Sequence, residues 1–187
     1  MKARIALVAW FTAMIIVHGV VAYWTPLQGD DWSHWAWAAQ HGDEGVLAWL
    51  ASHFAFADAI GYLLARCPIV HAILSPLVSA ALVLGVFTLV MRRLPRATWD
   101  DVLAVVLVSA LLWITGPRTG LLWFHRPHLA NHVYGATVAV WLVAPYRCGW
   151  SVRRAWWPLL VLAGLCVGLS TRTIATATLV GLGLALR

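Results

Sequence analysis

The chain has 187 residues, 62% of them hydrophobic and 11% charged, with a mean hydropathy of +0.81. A water-soluble domain of this size carries roughly a quarter charged residues, so composition excludes that class. The long apolar runs also lack the period-two alternation of barrel strands, which leaves an all-α, polytopic membrane bundle. The net charge of +6 comes from basic clusters: Lys2 and Arg4; Arg92, Arg93 and Arg96; Arg147, Arg153 and Arg154. They sit at alternate ends of successive apolar runs, the positive-inside pattern, which argues against a nucleic-acid partner.

The first span is predicted from Ile5 to Trp24, about 20 residues. That exceeds the roughly 7–15 residues of a signal-peptide core, so it reads as a retained helix with its N-terminus inside. Pro26 and Gly29 turn the chain at the outer face. The first outer loop, 25–67, then carries two juxtamembrane amphipathic helices. One has Trp32, Trp35 and Ala39 at helical spacing and ends at Gly42-Asp43-Glu44-Gly45. The other runs from Val46 to Arg66.

Pro68 suits the first turn of span two, Pro68–Met91, and Pro76 inside it predicts a kink. Thr98-Trp99-Asp100-Asp101 reads as a capping box opening span three, Trp99–Thr115. Span four is placed at Leu129–Tyr146 and span five at Trp156–Leu169. A last apolar stretch, Ile174–Leu186, has about 13 residues where a full span takes roughly 17–25. It reads either as re-entrant or as the start of a span that continues beyond the chain. The expectation is one transmembrane module, 1–187, of five to six spans, with further helices or an outer domain lying outside it. Of the 13 Lys and Arg, only Arg66, Arg118, Arg126 and Arg172 fall outside, which sets the orientation. Cys67, Cys148 and Cys166 lie at three depths, which excludes a simple disulfide scaffold and a compact thiolate metal site.

Two acidic pairs invite comparison. Asp100-Asp101 occupies the first turn of a helix, where carboxylates stabilise the free amides and the helix dipole. Asp30-Asp31 lies just beyond span one on the outer face, and capping the next helix from Asp31 leaves Asp30 without a structural role. One carboxylate could act as general base on an acceptor hydroxyl, since adjacent carboxylates repel and one pKa rises. The alternative is that the pair holds a divalent metal ion together with His34 or a phosphate.

Arg118, Arg126 and Arg172 stand near the outer ends of three spans and could bind a phosphate bidentately; interfacial snorkelling is the competing reading. Asn131 and Tyr134 could touch a sugar or bond a neighbouring helix. His125, His128 and His132 have i, i+3, i+7 spacing. They are weak candidates for a Zn²⁺ or Cu²⁺ site, with hydrogen bonding and stacking as the plainer use. His18 is the one histidine predicted away from the outer half.

These features resemble the GT-C superfamily of polytopic glycosyltransferases. The likeness lies in a first helix, an acidic first outer loop with two juxtamembrane helices, and further spans. Asp30-Asp31-Trp32 and Trp123…Asn131-His132-Val133-Tyr134-Gly135 resemble segments of a bacterial branch of that superfamily. The resemblance implies a polyprenyl-phosphate-linked sugar donor and a cell-envelope acceptor at the outer face of the cytoplasmic membrane. It also implies Asp30 as catalytic base with Asp31 as its companion, and His34, Arg118, Arg126, Asn131, Tyr134 and Arg172 toward substrate. The partners expected are membrane lipid, the lipid-linked donor and an additional membrane subunit. The competing reading is a non-catalytic membrane subunit or transporter fragment.

Overall fold

The computed structural model describes residues 1–27, 32–33, 35–36, 39–42, 44, 48, 56–115, 123–169 and 172–185. At 56–58, 115, 127, 154, 172–173 and 185 it describes the backbone alone. The longer helices are α1 (Lys2–Trp24), α2 (Phe56–Arg66), α3 (Pro68–Met91) and α4 (Trp99–Thr115). A single turn (Arg126–His128) leads through a π-helix (Leu129–Tyr134) into α5 (Gly135–Cys148). A 3-10 turn (Arg154–Trp156), α6 (Trp157–Gly168) and α7 (Arg172–Ala185) follow, and no strand occurs among the described residues.

Two helices, α1 with 23 residues and α3 with 24, are long and apolar enough to cross a membrane. A rise of about 1.5 Å per residue carries each past the roughly 30 Å hydrocarbon core. The 17 residues of α4 and the 12 of α6 are shorter. Large apolar side chains such as Val17, Leu103 and Leu179 are 63%, 66% and 72% exposed, whereas His18, His71, Ser75 and Thr88 are at most 1% exposed. This is the inverse of a water-soluble surface, which rarely shows large continuous apolar patches.

The helix boundaries follow from local chemistry. Cys67 is extended and Pro68 takes the first helical position of α3, where its missing N–H costs nothing. Arg92 (φ 53°) ends α3 in the left-handed region, and Gly149 (φ 65°) ends α5. At α4, the Asp101 amide donates to Thr98 Oγ1 at 3.4 Å, the first half of the expected capping box. The second half is different: the Asp101 carboxylate accepts from the Arg93 guanidinium and the Arg96 amide, binding the preceding turn to the helix.

The most extensively packed helix is α3, which lies against α1, α2, α4 and α5; α5 in turn packs on α6 and α7. Pro76 continues inside α3 but supplies no N–H to the carbonyl of Ala72, four residues earlier. Gly19 of α1 approaches that same oxygen so closely that a Cβ would stand 2.9 Å from it. On the opposite side, Gly85 admits Val140 and Trp141 of α5, and Trp141 Nε1 donates to the Ala81 carbonyl at 2.9 Å. Small residues at these seams let backbones approach, which is how helices bind in a medium as apolar as their own side chains. Val83, Phe87 and Val105 pack between α3 and α4. Leu64, Leu82, Trp123, Leu129, Val133 and Tyr134 form a second cluster, where α2 and α3 meet the π-helical segment before α5.

Candidate functional site

Asp30, Asp31, His34 and Arg118 lie outside the described residues, as does the side chain of Arg172, whose backbone opens α7. Arg126, Asn131, Tyr134, His125, His128 and His132 are described, and all six belong to the segment that leads into the N-terminal end of α5.

That segment is built in steps. His125 is extended (φ −78°, ψ 114°) and precedes a turn with Pro127 near its start, a position where the missing N–H of proline costs nothing. The backbone then widens into the π-helix Leu129–Tyr134, whose larger turn displaces each side chain from its ordinary α-helical bearing. The three histidines nevertheless stay neighbours, as their i, i+3, i+7 spacing predicts. His125 and His128 meet directly, Nδ1 to Nδ1 at 3.0 Å with ring centroids 4.7 Å apart, and His132 lies edge-on to His128 at 5.8 Å. A hydrogen bond between two ring nitrogens needs a proton on one and a lone pair on the other. Among the described residues no group of three His, Cys, Asp or Glu has the spacing to hold a metal ion.

Arg126 is 2% exposed and its Nη2 donates to the Thr25 carbonyl at 3.3 Å. A cation at the C-terminal end of α1 is favourably placed against the helix dipole. This contact ties the π-helical segment to the end of the first helix, 101 residues away in the chain. Around it opens a cleft of about 440 Å³, lined by Trp24, Thr25, Leu27, Trp35, Arg66 and Arg126 among others. Two guanidinium groups and aromatic rings line it, and none of its described lining residues is acidic, so its local potential is positive. Its volume falls in the range of small-molecule sites.

A buried polar layer lies one or two helical turns below the cleft. His18 of α1 touches the rings of Trp113, Trp123 and Phe124, with centroids 5.0–5.9 Å away. Its Nε2 donates to the Trp123 carbonyl at 3.4 Å. His71 Nδ1 and Ser75 Oγ of α3 are 2.8 Å apart, and Ser79 donates to the Ser75 carbonyl at 2.8 Å. Tyr134 is buried beside Ser75. Asn131 is half-buried and His132 exposed. Sequence reasoning set His18 apart from the outer histidines and passed over Ser75, Trp113 and Thr25. The signal the sequence offers for this layer is a histidine inside an otherwise apolar span.

Comparison with protein-family models, curated proteins and solved structures gives no match for this chain.

Proposed function

We propose that the chain is an integral membrane module of five to six helices that binds a phosphate-linked lipid sugar at its outer end and transfers the sugar to a hydroxyl acceptor, as in GT-C-like enzymes. The observation that carries this reading is the cleft at the outer end of α1. Arg66 and Arg126 line it, and Leu27, also in its wall, stands three positions before Asp30 in the chain. In this reading the guanidinium groups hold the donor phosphate, the leaving group. The Asp30 carboxylate takes the proton from the acceptor hydroxyl as its oxygen attacks the anomeric carbon. The C–O bond to the phosphate breaks and the lipid phosphate departs against the arginines, so charge develops where positive groups already stand.

A transporter would need a polar path through the bundle. The buried polar row His71, Ser75 and Ser79 is interrupted on α3 by buried Leu82, Val83 and Phe87, and the hydroxyl of the next buried polar residue, Thr88, is spent on the Leu84 carbonyl, which favours a site over a passage.

The test is sugar transfer by the reconstituted protein from a polyprenyl-phosphate donor. Asp30→Asn is expected to abolish transfer while leaving membrane insertion and donor binding intact. Transfer at the unsubstituted rate by Asp30→Asn overturns the assignment.

A further inference from the structure

Between α1 and α4 runs a groove of about 350 Å³ whose walls include Trp10, Met14, Val17 and His18 on one side and Ser109 and Trp113 on the other. Its surface is almost wholly apolar, and its polar groups include the Trp10–Ser109 pair and His18. Trp10 Nε1 donates to Ser109 Oγ at 3.2 Å, and that hydroxyl donates to the Val105 carbonyl at 2.8 Å, so each donor of this pair is satisfied. His18 is not. Its Nε2 faces the Trp123 carbonyl, which can only accept, so Nε2 carries the ring proton and Nδ1 of the neutral ring holds a lone pair. Nδ1 is buried and has no hydrogen-bond partner among the described residues, in a side chain only 1% exposed. Buried acceptors of this kind are rare in folded proteins because leaving one unmet is costly.

The geometry points to a lipid-binding site in this groove, occupied by a membrane-dissolved molecule with an apolar chain and a hydroxyl that donates to His18 Nδ1. The apolar walls select a hydrocarbon body. The fixed tautomer selects a donor, so a carbonyl, an ether or a phosphate ester without O–H gains nothing there. His18 and Trp113 stand at the end of the groove nearer Trp24, which puts the hydroxyl toward the outer surface and the chain toward the membrane interior. The three rings around the imidazole hold it in place for this contact. The site is separate from the arginine-lined cleft, and the inference does not depend on sugar transfer.

The experiment uses the full chain, labelled with nitrogen-15 histidine, in lipid nanodiscs. Dodecanol and its methyl ether are titrated separately while the His18 ring nitrogens are followed by NMR, with His18→Phe used for assignment. The expected result is a saturable shift of the Nδ1 signal with the alcohol, and an apparent affinity roughly tenfold above that of the ether, the scale of one buried hydrogen bond. Met14→Trp, which fills the groove, is expected to remove the response while the Nε2 signal stays where it was. Equal responses to alcohol and ether, no response to either, or a response that survives Met14→Trp each overturn the inference.

Discussion

Gly19 of α1 lies against the Ala72 carbonyl of α3, the oxygen that Pro76 leaves without its usual backbone donor, at a distance a Cβ would reduce to 2.9 Å. The contact is between backbones, so no side-chain rotation can relieve an added methyl. Gly19→Ala should therefore push α1 from α3 and lower stability by about 1–3 kcal/mol, the usual cost of overpacking. Gly85→Ala meets Val140 Cγ1 at 2.5 Å and Trp141 Nε1 at 3.0 Å and should cost a similar amount. Removing the neighbouring bond with Trp141→Phe should cost less, about 0.6 kcal/mol, the average for such bonds in membrane bundles. Denaturation in mixed micelles ranks the three; a glycine variant as stable as the parent contradicts the seam.

Asp101 and Arg93 form a two-pronged ion pair, both contacts at 2.7 Å, with the carboxylate 1% exposed and the guanidinium partly so. The Arg96 amide adds a third donor to the same carboxylate. Asp100, next door, is exposed and lies in the same helical turn. Asp101→Asn should free the 92–98 turn, and trypsin should then cut after its arginines roughly tenfold faster, because cleavage follows the population of the opened form. Asp100→Asn should leave the rate unchanged. Equal rates for the two variants would show that the ion pair does not restrain the turn.

The helix starts were legible because their signals are local. Cys67-Pro68 and the Thr98…Asp101 spacing act through a few adjacent atoms, and the structure puts α3 and α4 where those residues predict. The seams were not legible. Gly19 is one of 14 glycines, and only the alignment of its helix against Pro76 gives it a role. Nothing in Leu-Ala-Asn-His-Val-Tyr announces a π-helix, because the wider turn is a response to packing rather than a propensity of those residues. At the site, Arg126 was legible as a cation at the end of a span. Its burial against Thr25 was not, since that contact joins segments 101 positions apart. The Asp30-Asp31 pair, the clearest chemical signal in the sequence, lies outside the described residues.

The three free cysteines, all partly buried, give a direct test of orientation. Cys67 stands between α2 and α3, and Cys148 is the last residue of α5 beside Arg147. With the positive clusters inside, Cys67 faces outward and Cys148 inward. In intact cells, a membrane-impermeant maleimide should label the variant retaining only Cys67. The variant retaining only Cys148 should react after permeabilisation. The reverse pattern inverts the topology and moves the arginine-lined cleft to the inner face.

Arg126 joins structure to chemistry, and its two roles can be separated. Its Nη2 bond to the Thr25 carbonyl needs one donor, whereas a bidentate grip on phosphate needs the planar fork of a guanidinium. Arg126→Lys keeps the charge and a donor but loses the fork. It should weaken binding of a lipid-phosphate donor by about tenfold, the scale of one charge-assisted bond, while the helical circular dichroism stays that of the parent. Arg126→Ala loses the charge as well and should weaken binding further. It should also loosen the outer end of α1, seen as faster hydrogen exchange at Trp24 and Thr25. If the Lys variant binds the donor as the parent does while the Ala variant frays α1, then Arg126 is a structural strut and the phosphate must be held elsewhere. Parent-like binding by both variants removes this arginine from the site, because a cation within hydrogen-bonding reach of a bound phosphate cannot be deleted without a measurable loss of affinity.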